Sequence, residues 1–283
     1  MTTRWFEEKL YPHYGQRFLV TRTLYRKKTP FQTLEIFETP AFGRMLALDG
    51  ICQTTEKDEF FYHEMMVHPA LFAHGRPRRV LIIGGGDGGI LEEALKHKTI
   101  ERAVMVEIDR SVVDICKKHL SSICGKAFDD RRTDLVIADG VKYMAGTTEK
   151  FDAILVDSTD PIGPAEVLFR TDFYAACKRC LTPRGILVTQ NGVPFLQRDE
   201  LAATRRRLGT LFKDTGFVFT PVPTYIGGFM ALSWSSQDAK SRTVPLKTLA
   251  ARFGKARIKT QYYTPDIHRA AFAVPAYLQR YVR

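Results

Sequence analysis

The sequence has no long apolar run and few cysteines. Across its 283 residues, no segment of about 18 apolar residues occurs, which excludes a transmembrane helix. The opening stretch, MTTRWFEEKLYP, is charged from Arg4 and lacks the apolar centre of a signal peptide. The five cysteines show no spacing typical of a disulfide framework. We therefore expect reduced, buried thiols and a cytoplasmic protein.

A metal-binding motif is incomplete in this chain. HEMMVH, which begins at His63, resembles H-E-x-x-H, but Val67 stands where the second histidine is required and His68 comes one residue late. The two histidines would not share one helix face, as a zinc site needs. No metal site is predicted.

Acidic residues are outnumbered by basic ones. The chain has 42 lysines and arginines against 31 acids, which gives a net charge of +11. Such a balance is compatible with nucleic-acid binding. However, basic clusters such as RPRR (Arg76–Arg79) and RRR (Arg205–Arg207) are scattered and lack interleaved stacking aromatics. We expect a solvated basic surface, with neither nucleic acid nor a membrane as a partner.

Two patterns of hydrophobicity divide the chain. Residues 1–55 alternate apolar and polar residues with breaks at proline and glycine, which is typical of β strands. Residues 56–75 have helical spacing, and from residue 76 to residue 283 short apolar runs alternate with amphipathic segments. We predict a small N-terminal β domain, a connecting helix and a Rossmann-like catalytic domain with these bounds.

The connecting segment is TEKDEFFYHEMMVHPALFAH. We expect Thr55 or Asp58 to cap its helix. We expect Pro69 to kink or end that helix. The polar, proline-bearing AHGRPRR that follows is the expected domain boundary.

Five apolar runs predict buried strands of a parallel sheet: RVLIIG, RAVMVEID, TDLVIAD, FDAILVD and GILVTQN. Helical patterns fall between them, which predicts an α/β, doubly wound sheet. The final runs, GFVFTPV and GGFMALSW, are separated by PTYI alone. That link is too short for a parallel crossover, so the last strand should be antiparallel.

Acids follow strand after strand at the edge where such a sheet binds ligands. They are Asp87 within the glycine loop GGGDGG, Glu107, Asp139, Asp157 and Asp160. A single acid at a strand end is often a helix cap, and we expect this for Asp109. A whole row of acids in a basic protein instead predicts a negative cleft for cationic ligands.

The order of these acids predicts a particular nucleoside. A G-x-G-x-x-G loop normally brings backbone N–H groups to a pyrophosphate, which Asp87 would repel. Glu107, about twenty residues past the loop, is placed to hold ribose hydroxyl groups. Asp139 can accept a hydrogen bond from an adenine amino group. Adenosine bearing a sulfonium meets these requirements.

Several motifs resemble the spermidine synthases, the polyamine aminopropyltransferase family. They are GGGDGG, EID, the DG pair at Asp139 and Gly140, ALDGICQTTEKDEFFYHEMM, PTYIGG, AAFAVPAYLQ and above all DSTDPIGPAEVLF. This resemblance covers nearly the whole chain. It implies a β domain on a methyltransferase-like domain, assembled as a homodimer or homotetramer. It also implies aminopropyl transfer from decarboxylated S-adenosylmethionine, a co-substrate, to putrescine, without a further cofactor.

The resemblance also implies roles for individual residues. Asp157 occupies the family's proton-acceptor position. The residues implied to contact the nucleoside donor are Gln32, Asp87, Glu107, Asp139, Gly140 and Pro164. Those implied to line the polyamine site are Tyr62, His63, Asp87, Asp157, Ser158, Thr159, Asp160 and Tyr225. The loop from Ser158 to Phe169 is suited to closing over both substrates.

Other interpretations stay open at this point. A methyltransferase would share the sheet and the nucleoside contacts, although the chain has no N-P-P-Y or D-P-P-Y motif. An NAD-dependent dehydrogenase is disfavoured by Asp87 and by the antiparallel last strand. A binding protein without activity would be expected to lack Asp157, which is present. For an aminopropyltransferase, the acceptor stays open among putrescine, cadaverine, agmatine and spermidine.

Overall fold

Three sheets organise the computed structural model, which describes residues 4–158 and 163–282. The first is an antiparallel hairpin of β1 (Arg4–Tyr11) and β2 (Tyr14–Val20). The second is an antiparallel sheet of β3 (Arg22–Lys28), β4 (Thr33–Thr39), β5 (Gly43–Leu48) and β6 (Ile51–Thr55). The alternating pattern of this part of the sequence therefore does form β structure.

The connecting helix, α1 (Glu59–His74), differs from expectation at Pro69. It continues through Pro69, so the expectation that this proline ends the helix is wrong. Nearly all of its side chains from Tyr62 onward are buried. This packing offsets the loss of the backbone hydrogen bond that proline cannot donate. The helix ends instead at Gly75, whose φ of 87° is left-handed.

The third sheet has the order β12-β13-β11-β10-β7-β8-β9. Its strands are β7 (Arg79–Gly84), β8 (Arg102–Glu107), β9 (Thr133–Ile137), β10 (Phe151–Asp157), β11 (Leu181–Gln190), β12 (Asp214–Pro221) and β13 (Phe229–Ser236). Strands β7 to β11 are parallel, whereas β13 is antiparallel to both neighbours. This is the predicted doubly wound sheet with an antiparallel last strand.

Helices cover both faces of the large sheet. Besides α1, the α-helices of the described residues are α2 (Gly89–Leu95), α3 (Arg110–His119), α4 (Ser121–Cys124), α5 (Gly140–Gly146), α6 (Thr171–Cys180), α7 (Arg198–Gly209), α8 (Leu246–Ala256), α9 (Pro265–Ala270) and α10 (Gln279–Val282). Of these, α3 and α4 pack against β4 and β5 of the second sheet. Successive residues of β7 enter opposite cores: Val80 and Ile82 pack with α1, while Leu81 and Ile83 pack with α6. Burial on both faces explains why these strands are continuously apolar.

The five cysteines are free and buried, as their sequence context predicted. Within residues 4–158 and 163–282, none of the helices is both long enough and apolar enough to cross a membrane. The sheet order reverses between β7 and β10, whose carboxyl ends adjoin. In open α/β sheets, the crevice at such a reversal is the usual ligand site.

Candidate active site

The glycine loop joins β7 to α2 at the sheet reversal. A Cβ on Gly84 would lie 2.0 Å from the carbonyl oxygen of Asp157, and φ at Gly84 is +81°. Glycine is therefore required for the ends of β7 and β10 to approach this closely. Within the loop, the Oδ1 atom of Asp87 accepts a 2.8 Å hydrogen bond from the backbone N–H of Gly89. Asp87 thus shapes the loop and keeps Oδ2 toward the cleft.

Asp157 lies at the end of β10, facing α1 and the glycine loop. Its Oδ1 atom accepts a 2.6 Å hydrogen bond from the hydroxyl of Tyr62. Burial and the nearby Asp87 carboxylate raise the pKa of Asp157 to about 6, although the Tyr62 hydrogen bond and the charge of His63 oppose this. A carboxylate with a raised pKa is a stronger base than a solvated one.

His63 is almost fully buried between two carboxylates. Its Nδ1 atom lies 2.6 Å from Oε2 of Glu59, and its Nε2 atom lies 3.5 Å from Oδ2 of Asp87. Burial alone would lower the pKa of His63, but Asp87 and Glu59 raise it well above its usual range. The ring also rests against Gly89, where a Cβ would lie 2.2 Å from ring atoms. Glu59 was not identified from the sequence, although its i,i+4 spacing from His63 was available as a signal.

Glu107 ends β8 on the other side of the glycine loop. Its Oε1 atom accepts a 2.9 Å hydrogen bond from the backbone N–H of Asp109. Burial raises the pKa of Glu107 to about 7, against the effect of the neighbouring backbone N–H groups. A Cβ on Gly86 would lie 3.0 Å from Oε2 of Glu107, so the glycine leaves room beside this carboxylate.

Asp109 caps α3, as expected, because its Oδ1 atom accepts a 2.9 Å hydrogen bond from the backbone N–H of Ser111. Its Oδ2 atom accepts a 2.7 Å hydrogen bond from the hydroxyl of Thr29 and one at 3.5 Å from Nε2 of Gln32. These contacts bring Gln32 from the N-terminal sheet to the same cleft as Glu107.

Asp139 and Gly140 begin α5 at the end of β9. Oδ1 of Asp139 accepts hydrogen bonds from the backbone N–H groups of Val141, at 2.8 Å, and Lys142, at 3.3 Å. A Cβ on Gly140 would lie 2.6 Å from Cγ2 of Ile83, so glycine allows close packing on β7. Asp139 is therefore a helix cap, and its contact with adenine stays a prediction.

Tyr225 lies in the turn between β12 and β13. Its hydroxyl donates a 2.6 Å hydrogen bond to the carbonyl oxygen of Gln53, and its ring centroid lies 6.0 Å from that of Tyr62. Asp58 fixes this turn, because its Oδ2 atom accepts hydrogen bonds from the backbone N–H of Thr224, at 2.8 Å, and from the Thr224 hydroxyl, at 2.6 Å.

The side chain of Asp58 makes no capping hydrogen bond in α1, although Asp58 stands at a capping position that the sequence predicted. Asp58 occupies the capping position of α1, but its carboxylate is used by the distant Thr224 and by the Thr55 hydroxyl, which donates at 2.6 Å. The β1–β2 hairpin also contacts the turn between β12 and β13, because Nε2 of Gln16 donates a 2.5 Å hydrogen bond to the carbonyl oxygen of Thr224. A sequence pattern cannot show this use of Asp58 because the partners are far apart in the chain.

The structure brings most predicted site residues into one cleft. We call Tyr62, His63, Asp87, Asp157 and Tyr225 the amine site, after the ligand that the sequence predicts for them. Glu107 lies beside the same glycine loop, Gln32 contacts the neighbouring Asp109, and Ser158 directly follows Asp157. Thr159 and Asp160 lie outside the described residues, as does the side chain of Pro164. The prediction of a closing loop from Ser158 to Phe169 falls partly on that same stretch and stays a prediction.

The incomplete metal motif separates into two unrelated contacts. His63 belongs to the amine site, whereas Nδ1 of His68 lies 2.9 Å from Nε2 of the buried His97, just after the end of α2. The two histidines of HEMMVH therefore have different partners, as the spacing predicted.

Sheet order, glycine loop and acid-lined cleft together define a Rossmann-like α/β protein with a ligand-binding cleft. Residues 59–246 match the model of the spermine/spermidine synthase domain, and residues 4–56 match the spermidine synthase tetramerisation domain. The polyamine aminopropyltransferase 1 of Pseudomonas aeruginosa is 54% identical over 273 residues, covering 96% of each chain.

Solved structures give the same result. A spermidine synthase in complex with the transition-state analogue AdoDATO has a TM-score of 0.93 at 35% identity, covering 99% of this chain and 96% of that one. The spermidine synthase of Thermotoga maritima has a TM-score of 0.90 at 34% identity, covering 99% and 95%. The chain therefore belongs to the spermine/spermidine synthase family, and it is an enzyme of the polyamine aminopropyltransferase class. The methyltransferase and dehydrogenase interpretations are set aside.

Proposed function

We propose that this enzyme transfers the aminopropyl group of decarboxylated S-adenosylmethionine to putrescine, giving spermidine and methylthioadenosine. The observation that carries this proposal is Asp157, a carboxylate with a pKa raised to about 6, bonded to Tyr62 and facing Asp87. The site thus pairs a general base with a second carboxylate able to hold a cationic group. Both substrates carry such groups.

The donor contacts follow from the positions of the acids. Glu107 binds the ribose hydroxyl groups, Asp139 accepts from the adenine amino group, and Gln32 and Gly140 contact the nucleoside from either side. Asp87 binds the primary ammonium group of the donor through Oδ2, since Oδ1 holds the loop. Pro164 is proposed to complete the nucleoside pocket.

The acceptor must lose a proton before it can react. An alkylammonium with a lysine-like pKa near 10.4 needs about 4.6 kcal/mol to lose its proton at pH 7. Asp157 accepts that proton, and a pKa of about 6 instead of 3.8 makes acceptance more favourable by roughly 3 kcal/mol. Tyr62, His63 and Tyr225 line the acceptor channel. Ser158, Thr159 and Asp160 are proposed to hold the remote ammonium.

The transfer itself needs no further reagent. The free amine of the acceptor attacks the methylene carbon next to the sulfonium, forming the C–N bond while the C–S bond breaks. The electron pair of the broken bond stays on sulfur, which leaves neutral methylthioadenosine. The positive charge moves to the new secondary ammonium, and Asp157 returns its proton to solvent. Each turnover therefore releases one proton.

The decisive experiment incubates purified protein with decarboxylated S-adenosylmethionine and, separately, putrescine, cadaverine, agmatine or spermidine. Mass spectrometry then identifies the products, with the Asp157→Asn variant as control. Spermidine from putrescine at the highest kcat/KM is expected. A higher kcat/KM with another amine would show that this amine, and not putrescine, is the preferred acceptor. Methylated products from intact S-adenosylmethionine would contradict the proposal.

We also propose an oligomer, a homodimer or homotetramer, assembled through the N-terminal region. The match to a tetramerisation domain supports this, as do Trp5 and Tyr14 of the hairpin, each 51% exposed. Light scattering of the intact chain would measure the assembly. The bounds 1–55, 56–75 and 76–283 are our proposed domain division. Five free, buried thiols support the proposal of a cytoplasmic location.

A further inference from the structure

The imidazole of His63 has a carboxylate at each nitrogen. Glu59 lies 2.6 Å from Nδ1, and Asp87 lies 3.5 Å from Nε2. A neutral imidazole has one N–H donor and would present a lone pair to one of these carboxylates, whereas an imidazolium donates to both. The charged groups that face the ring from the described elements are Glu59 on α1, Asp87 on the glycine loop and Asp157 on β10, with the Tyr62 ring beside them. All three charged groups are acids.

We infer that His63 is a resident cation of the unliganded amine site, oriented by Glu59, and that an ammonium group arriving at Asp87 displaces one proton from His63 to solvent. This inference rests on the proposed function, in which the donor brings that ammonium group. Glu59 acts through His63 and is a positioning residue.

Loss of the His63 proton follows from the hydrogen bonds that Asp87 already makes. Its Oδ1 atom already accepts from the backbone N–H of Gly89, which leaves Oδ2, the atom that faces His63, as the freer acceptor for an ammonium group. Two cations about 5 Å apart, at an effective dielectric near 20, repel enough to lower the proton affinity of the histidine by roughly 250-fold. Once deprotonated, Nε2 can accept a hydrogen bond from the incoming ammonium. One positive charge enters the site and another leaves it.

Glu59 determines which proton is lost. Its contact with Nδ1 is short and direct, so Nδ1–H stays bonded to Glu59 while the proton on Nε2 departs. Gly89 limits movement of the ring, because a Cβ there would lie 2.2 Å from it. Two carboxylates and one imidazolium also leave the group with a net charge of −1, so the site continues to favour cations.

The test measures proton release on binding. Titration calorimetry at pH 8 is done in phosphate and in Tris, whose ionisation enthalpies differ, with decarboxylated S-adenosylmethionine and with methylthioadenosine. Methylthioadenosine has no ammonium group, so subtracting its value removes any contribution of Glu107. At pH 8 Asp157 is already ionised, because its pKa is about 6. The wild type is expected to release about 0.5 to 1 proton more with the amine-bearing nucleoside.

Two variants separate this role from a structural one. His63→Gln is expected to abolish the extra proton release while binding both nucleosides. Glu59→Gln is expected to reduce it at least twofold, with recovery in Glu59→Asp. Equal release by both ligands in the wild type, or unchanged release in His63→Gln, would overturn the inference.

A measurement without ligand keeps the inference distinct from the proposed function. Imidazole ¹H–¹⁵N spectra of the free enzyme, with His63→Gln used to assign the signal, are expected to show a doubly protonated ring at pH 7.5 that becomes singly protonated in Glu59→Gln. A neutral ring in the wild type overturns the inference even if the enzyme is active. Failure of both nucleosides to bind, with an imidazolium present, instead overturns the proposed function.

Discussion

Replacing Glu107 with glutamine is expected to stabilise the unliganded protein, and to do so more strongly as the pH rises. Burial of this carboxyl raises its pKa from 4.5 to about 7. Between these two values the folded state holds more protons than the unfolded state, so the free energy of unfolding falls as pH increases through that window. Glutamine carries no charge, and its oxygen can still accept the hydrogen bond from the backbone N–H of Asp109.

The size of the effect follows from the two pKa values. Ionisation of Glu107 lowers the free energy of unfolding by roughly 3.3 kcal/mol at pH 8 and by roughly 0.8 kcal/mol at pH 5. The advantage of Glu107→Gln over the wild type should therefore grow by about 2.5 kcal/mol between these pH values. For a chain of this size, about 2 °C in Tm per kcal/mol gives a change near 5 °C.

Thermal denaturation of wild type and variant at pH 5 and pH 8, at one protein concentration, would measure this change. Glu101→Gln is the matched control, because Glu101 is 58% exposed and lies outside the cleft. Its stability difference from the wild type should be nearly the same at both pH values. If the stability difference between Glu107→Gln and the wild type were also the same at both pH values, the reasoning would be refuted. The variant should also bind nucleoside more weakly, since under the proposed function the carboxylate holds the ribose.

Three further substitutions test the site and its supports. Asp157→Asn should fold normally yet lose at least about a hundredfold in turnover at pH 7, with partial recovery at high pH where free amine is present; near-normal turnover at pH 7 would contradict its role as a base. Asp58→Ala removes the acceptor that holds Thr224 beside Tyr225. Steady-state kinetics should therefore show a KM for the amine that is about tenfold higher, with donor affinity unchanged. An unchanged KM would contradict the idea that Asp58 positions Tyr225. Glu64→Ala leaves three backbone N–H groups, those of Gln261, Tyr262 and the buried Tyr263, without their acceptor and should cost about 3 kcal/mol in denaturant unfolding; a loss under about 1 kcal/mol would count against it.

The large sheet could be predicted from sequence because its physical cause is local. Strands buried on both faces must be continuously apolar, and the short link between β12 and β13 permits an antiparallel pair alone. The acids at the strand ends were found for the same reason, since the carboxyl ends of parallel strands share one edge. Asp109 as a helix cap also follows from a local pattern and was confirmed.

What could not be predicted depends on contacts between distant parts of the chain. Pro69 stays within a helix because packing around α1 offsets its cost, and no residue near Pro69 in the sequence indicates that. Asp58 resembles a helix cap locally, but the turn that carries Thr224 takes its carboxylate. Glu59 is a different case, because its i,i+4 spacing to His63 is visible in the sequence. The role of this pair appears only in the structure, where Asp87 lies on the other side of the His63 ring.

The contacts of Asp87 explain why an acid occurs in a type of glycine loop that usually binds pyrophosphate. With Oδ1 on the backbone of Gly89, its Oδ2 atom faces a site that also holds His63 and Glu59. If His63 is an imidazolium, as inferred above, the three side chains carry a net charge of −1. Under the proposed function, such a site favours the ammonium group of decarboxylated S-adenosylmethionine and disfavours the extra carboxylate of the intact nucleoside. Two like charges about 5 Å apart at an effective dielectric near 20 repel by about 3.3 kcal/mol, which is roughly 250-fold in affinity.

Asp87→Asn should therefore bind the decarboxylated nucleoside more weakly and the intact one comparatively better, narrowing the ratio of the two affinities by at least about tenfold. Calorimetric titration of both nucleosides into the wild type and the variant measures the ratio directly. Glu92→Gln is the control, since Glu92 lies on the adjoining helix α2 in an ion pair with Lys96; its ratio should match that of the wild type. A wild type that binds both nucleosides equally would show that Asp87 serves the loop alone, and selection of the donor would then have to come from elsewhere in the cleft.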